Sequence, residues 1–368
     1  SRSTRGSYDH AVSATSLGPY QLVELIGRGG VGEIWSARHR GASELLAIKV
    51  LNGQHAGDLT YRTAFRREVR AVSALDHRHI VQVFDNGEVT REEERRSHGR
   101  FLEGAPYLAM ELIGGGSLLQ VRGQIPWPRL RALLLDLLAA LGHAHASGVI
   151  HRDIKPGNVL LGDGRSIKLT DFGLAHDVGV TNPGAASKPG HGGTPAYMAP
   201  EQLQGNWRDY GPWTDLYSFG CLAWALCSGK PPFTVNKWVE LMHSHLTRNP
   251  PRLVPKHNVP SGFEGWLRQL LAKEPSHRFI RAADAAWALR QLPDDFEDDL
   301  EPFDAPTEDI NLGSLASAIA AADAVRVLES APGMVARPSE AQPYLGDVST
   351  SVGGAQARYG LAPIPGDW

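Results

Sequence analysis

Over residues 20–113, apolar and polar positions alternate in short runs broken by glycine. Residues 22–26 and 33–37 flank a glycine cluster and predict a hairpin. Short apolar strands are expected at 45–51, 80–84 and 107–112. Phe65, Val69, Val72 and Leu75 fall on one face of a helix predicted over 63–75. Between the last two strands the stretch TREEERRSHGRFLEG carries charge and no apolar period, so an exposed loop is expected there. From Ser117 onward the period turns helical, with helices predicted over 130–146, 213–228, 237–247, 263–271 and 282–292. The chain therefore reads as α+β, a small strand-rich part followed by a larger helical one.

Both ends differ from this body. Residues 1–19 have no apolar core of signal-peptide length and are expected to form a disordered lead-in. After Leu292 come Asp294, Asp295, Glu297, Asp298, Asp299 and Glu301, the pattern of a solvated acidic linker. An alanine-rich helix is possible over 312–328. The final residues, 332–368, are rich in glycine and proline.

Composition narrows the function. The 368 residues are 42% hydrophobic and carry a formal net charge of −3, so no strongly basic face suggests a nucleic-acid partner. The longest apolar stretch, 130–141, contains Arg131 and Asp136 and reads as a buried amphipathic helix, not a membrane span. Cys221 and Cys227 match no metal spacing. Six residues apart on one predicted helix, they cannot bridge each other, and they read as small buried hydrophobes of a reduced, cytoplasmic protein.

Four motifs carry chemistry. In GRGGVGEI, Gly27, Gly29 and Gly32 are followed by Glu33 and Ile34 in a second strand. The motif alone is weak and fits an ordinary tight hairpin, but bare glycine backbone also lets N–H groups approach phosphates. Lys49 stands in the apolar strand Leu46-Ala47-Ile48-Lys49, where burial calls for a carboxylate partner. Alone, Lys49 also fits a side chain that snorkels outward, and Glu68, on the next helix, by itself fits a surface ion pair with Arg66 or Arg67 better; paired, the two would clamp the α- and β-phosphates of a nucleotide. The run from His151 to Leu160, HRDIKPGNVL, combines a base (Asp153), a cation two residues on (Lys155) and a second polar ligand (Asn158). Asp171-Phe172-Gly173 follows a strand at 167–170, and Asp171 adds the hard oxygen that magnesium prefers.

Together these motifs resemble the eukaryotic-like (Hanks-type) serine/threonine protein kinases of bacteria, over about 20–292. The resemblance implies a bilobal kinase fold, with a small lobe at 20–113 and a large lobe at 114–292. The expected ATP site comprises Ile26, Gly27, Arg28, Gly29, Gly30, Val31, Gly32, Ile34, Ala47, Lys49, Met110, Glu111, Leu112, Ile113 and Leu160. Met110 matches the back of the adenine pocket, and 111–113 the hinge. Asp153 would take the substrate hydroxyl's proton and Lys155 would neutralise the moving phosphoryl group. Asn158 and Asp171 would hold Mg2+ or Mn2+. Val72, Val83, His151 and Phe172 match one stacked apolar column; Ile34, Ala47 and Leu160 match the column that adenine completes.

GTPAYMAPE, from Gly193 to Glu201, resembles the end of the activation segment, which Phe172 and Gly173 open. Arg278 matches the partner of Glu201, and Asp215 the anchor of the catalytic loop. Arg152 marks kinases whose segment is ordered by phosphorylation. The candidate phosphosites are Ser187, then Thr181, while Thr194 is assigned to substrate docking. Val31, Trp35 and His176 depart mildly from the family pattern, and Gly142 lies inside a predicted helix. The implied partners are ATP, protein substrates and a sensor or ATPase module beyond this sequence, to which the acidic linker and extension at 293–368 would lead. Two rivals are weaker: a pseudokinase would lack Lys49, Asp153 or Asp171, and a small-molecule phosphotransferase would lack the activation segment and Arg278.

Overall fold

Short alternating strands build the first layer, a six-stranded antiparallel sheet in the order β1-β2-β3-β4-β6-β5. The strands are β1 (Ser16–Leu17), β2 (Tyr20–Gly29), β3 (Gly32–His39), β4 (Leu45–Leu51), β5 (Val83–Glu88) and β6 (Pro106–Met110). The structure is a computed structural model that describes residues 15–29, 32–51, 59–173, 195–235 and 237–293. Strands β2 and β3 form the predicted hairpin, with Gly29 paired to Gly32. Only glycine fits at position 32, because a Cβ there would lie 2.0 Å from the Val50 carbonyl oxygen.

Two expectations fail on the outer side of this sheet. Residues 16 and 17 are not lead-in: Ser16 pairs with Gln21, Leu17 pairs with Tyr20, and Leu17 is wholly buried. The turn at Gly18, with φ of +54°, folds this strand back on the sheet. The charged stretch between β5 and β6 is likewise not a loop throughout. It begins with α2 (Arg91–Arg96), opened by a capping box in which Thr90 Oγ1 accepts from the Glu93 N–H and the Glu93 carboxylate accepts from the Thr90 N–H. Beyond the helix, Phe101 turns inward. Val89, Phe101 and Ala105 join Leu17, Tyr20, Leu22, Trp35, Ile48, Val50 and Tyr107 in a second core on the outer face of the sheet.

The inner face of the sheet meets α1 (Leu59–Ser73), with Phe65, Val69 and Val72 buried as their spacing predicts. Ile80 makes only an isolated bridge to Leu169, so the strand expected at 80–84 starts later, at Val83. The helical layer comprises α3 (Trp127–Ala146), α4 (Pro200–Leu203), α5 (Pro212–Ser228), α6 (Trp238–Thr247), α7 (Phe263–Leu270) and α8 (Ala282–Arg290). Between α3 and α4 the pair β7 (Val159–Leu161) and β8 (Ile167–Leu169) frames the motif residues. Helix α5 is buried from Thr214 through Ser228, including both cysteines, and Gly229 ends it in the left-handed conformation. Trp127, Phe263 and Trp266 pack together where α3 meets α7. No helix among the described residues is long and apolar enough to cross a membrane.

Candidate active site

The site forms where β4, α1, the 151–158 loop and the residues after β8 converge. Asp215, fully buried on α5, organises the loop. Its Oδ2 accepts from the His151 N–H at 2.8 Å and its Oδ1 from the Arg152 N–H at 2.7 Å. His145 donates to Oδ2 from Nε2, also at 2.8 Å. Burial opposes ionisation of Asp215, but the His145 hydrogen bond and the neighbouring imidazoles hold its carboxyl below the usual range. These bonds support Arg152 in a left-handed conformation, φ +66°, that a bulky residue does not adopt unaided. His145 was not singled out from the sequence; a histidine in the last turn of the preceding helix was its only signal.

His151 is wholly buried and 4.5 Å from the Phe172 ring, centroid to centroid. Its Nε2–H donates to the Thr170 carbonyl at 2.9 Å, and its Nδ1 accepts from the Asp153 N–H at 3.2 Å. Burial keeps this imidazole neutral by lowering its pKa, which matches one donor and one acceptor on the ring. Val72, Val83 and Phe172 are buried in the main core that His151 adjoins.

Asp153 is fixed from two sides. Lys155 Nζ donates to its Oδ2 at 2.9 Å, and Asn158 Nδ2 donates to the same oxygen at 3.0 Å and to the Asp153 carbonyl at 2.7 Å. Asn158 and Lys155 are both buried. Asp171, just after β8, faces this group with φ of +60°, a second non-glycine residue of the site in the left-handed region. Lys49 Nζ lies 2.7 Å from Asp171 Oδ1. Burial works against ionisation of Asp171, yet the Lys49 ammonium beside it, joined by Lys155, holds the carboxyl below its ordinary value.

The expected pair of Lys49 with Glu68 is not formed. Glu68 Oε1 instead accepts from Arg152 Nη1 at 3.1 Å. The compact ammonium of Lys49 pairs with Asp171, and the forked guanidinium of Arg152 reaches across to α1.

Around the expected nucleotide position, Ile26, Ala47, Met110 and Ile113 are buried, and Ile34, Leu112 and Leu160 pack beside them. Ala47 pairs with Met110 across β4 and β6, and Gly27 pairs with Ile34. Arg28 reaches Glu33 across the hairpin. Glu111, at the start of the 111–113 segment, accepts from Lys168 Nζ at 2.8 Å and from the Gln82 N–H, a bracing that the sequence did not announce. Gly30, Val31, Thr181, Ser187 and Thr194 lie outside the described residues.

At the far end, Glu201 and Arg278 meet as predicted, through a bidentate pair at 2.8 and 2.9 Å with both side chains buried. Gln202 donates to the Arg152 carbonyl at 2.8 Å, tying α4 to the 151–158 loop.

A family model described as protein kinase domain matches residues 20–286. The chain belongs to the protein kinase family. This kinase is 34% identical over 288 residues to the serine/threonine-protein kinase PknA of Mycobacterium tuberculosis, across 76% of its own length and 63% of that protein. It is 32% identical over 278 residues to the probable serine/threonine-protein kinase PknB of Bifidobacterium longum, across 74% and 39%. The kinase thus spans 63% and 39% of the lengths of these two relatives. Among solved structures it resembles the Mycobacterium tuberculosis PknI kinase domain, with a TM-score of 0.57 and 28% identity, over 76% of this chain and 97% of that one. Its bilobal fold and its place among the bacterial serine/threonine kinases follow from these matches.

Proposed function

We propose that this kinase transfers the γ-phosphoryl group of ATP to serine or threonine hydroxyls of proteins, in bacterial signalling and in the cytoplasm. The observation that carries the reading is Asp153, held between Lys155 and Asn158 and facing the Lys49–Asp171 pair. Lys155 and Asn158 fix the Asp153 carboxylate, which orients the substrate hydroxyl and takes its proton as the new P–O bond forms. The bond between the γ-phosphorus and its bridging oxygen breaks, and ADP leaves. Lys155 neutralises charge on the moving group, and Lys49 holds the remaining phosphates.

The donor set fits magnesium or manganese. Asn158 spends its amide N–H groups on Asp153, which turns its Oδ1 away as a hard acceptor. Asp171 stays ionised with one oxygen on Lys49 and the other open to a cation. Among the described residues no group of three carboxylates, histidines or cysteines would hold a metal alone. Two protein ligands completed by phosphate oxygens and water suit an ion that keeps part of its hydration. Bound there, the ion supplies charge neutralisation at the phosphates.

Serine/threonine choice rests on Lys155 and Thr194. Self-phosphorylation at Ser187 or Thr181, with Arg152 receiving the phosphate, completes the proposal. Incubation with radiolabelled ATP and magnesium tests it. Wild type should label itself on serine or threonine, and Asp153→Asn should bind ATP but lose about 10²–10⁴-fold in transfer rate. Near-normal turnover in that variant would remove Asp153 from its role. No labelling by the wild type would favour a scaffold.

A further inference from the structure

The segment inserted between β5 and β6, which carries α2, meets the glycine hairpin at one carboxylate. Glu33 directly follows Gly32 on β3, and its side chain is 16% exposed. It accepts from Arg28 Nε at 2.9 Å, which closes the hairpin across its two strands. It accepts from Trp35 Nε1 at 3.1 Å. It also accepts from Arg100 Nε at 3.0 Å, and Arg100 comes from the insert, 67 residues away in sequence. The Arg100 guanidinium lies 4.4 Å from the Trp35 ring centroid, while Phe101 packs edge-on against the same indole at 6.1 Å. The other end of the insert is tied as well, since Glu93 Oε1 accepts the Gly18 N–H at 2.6 Å. The insert is therefore anchored at the turn after β1, seated by Phe101 in the outer core, and bonded through Arg100 to the stem of the hairpin.

We propose that Arg100 is a positioning residue for ATP, and that the insert sets nucleotide affinity by holding Glu33 and with it the glycine hairpin. The inference rests on the kinase reading above. Ordering the stem of a hairpin only when nucleotide binds costs conformational entropy. A clamp that fixes its stem in advance removes part of that cost, and preorganisation appears as tighter binding. Arg100 suits the task because its guanidinium bonds a carboxylate and covers an indole face at once, which lysine does less well.

The test is titration of the full chain with a non-hydrolysable ATP analogue, beside steady-state autophosphorylation. Arg100→Ala should weaken analogue binding and raise KM for ATP by about three- to tenfold, the scale of one partly buried ion pair backed by a cation–π contact. Its rate at saturating ATP should stay within about twofold of wild type, because the reacting groups are untouched. Arg100→Lys should recover part of the affinity. Glu33→Gln should weaken binding too, and adding Arg100→Ala to it should change little further, since the two act as one unit. A purely structural role predicts a lower melting temperature with unchanged nucleotide affinity in Arg100→Ala, and that result would overturn the proposal. So would additive losses in the double variant. Failure of the wild type to bind the analogue would instead overturn the kinase reading, and this inference with it.

Discussion

Arg278 bonds Glu201 with both terminal nitrogens and also donates to the carbonyls of Ala272, Trp213 and Lys273, all with almost no exposure to water. Desolvating two charges is costly, and the pair persists because every donor is satisfied. Glu201→Ala leaves the guanidinium buried beside carbonyls alone. The expected loss is about 3–5 kcal/mol, read as a lower urea midpoint at unchanged slope. Gly142 is the opposite case. It lies inside α3, where glycine costs about 1 kcal/mol relative to alanine. An added Cβ would meet only the Ala282 Cβ, at an ordinary 3.8 Å. Gly142→Ala should therefore stabilise the protein by about 0.5–1 kcal/mol, raising the urea midpoint. A lower midpoint would show that α3 and α8 pack more tightly than this spacing allows.

At the scale of the element, α6 places His245 against α5. Its Nδ1 accepts from the Tyr217 hydroxyl at 3.0 Å, and Lys273 Nζ lies 3.3 Å from the same oxygen. Burial first, and the Lys273 charge second, push the His245 pKa down to about 3. The native state thus refuses a proton that the unfolded chain accepts below about pH 6.5. Stability should fall as pH drops from about 6.5 toward 3, with a slope of up to about 1.4 kcal/mol per pH unit from this group. His245→Gln should flatten that part of a stability–pH curve; an unchanged acid limb would assign the loss elsewhere.

The elements also show what the pattern could carry. Helices α1, α3 and α5 were legible because each buries a periodic apolar face or is apolar throughout. Asp153, Lys155, Asn158 and Asp171, the residues proposed to carry phosphoryl transfer, were legible because that chemistry demands particular types at fixed spacing. The insert was misread because one buried aromatic, Phe101, makes no period. Its helix comes from the Thr90–Glu93 capping box, a signal present in the sequence. The two-residue β1 depends on the turn at Gly18 and a single buried leucine, too little pattern to register. The pairing of Lys49 with Asp171 was beyond the sequence, because spacing names possible partners without ranking distances across the cleft.

Over the whole molecule, the two lobes meet through competing charges. Glu68 from the small lobe is engaged by Arg152 of the large lobe, and Lys49 by Asp171. A phosphate on the activation segment would offer Arg152 a stronger partner than a carboxylate and leave Glu68 to Lys49. The double variant Thr181→Ala, Ser187→Ala should therefore phosphorylate an added substrate about tenfold more slowly than autophosphorylated wild type, the worth of one charge-assisted hydrogen bond. Equal rates would leave Arg152 a purely structural residue. The burial of α5 has a consequence of another kind. Cys221 and Cys227 sit within it; burial pushes Cys227 up to about 12 and raises Cys221 as well. Neither sulfur is a nucleophile until the helix leaves its seat. Alkylation by iodoacetamide at neutral pH, followed by mass spectrometry, then counts openings of the large lobe, and nucleotide that stabilises the folded kinase should slow both thiols together.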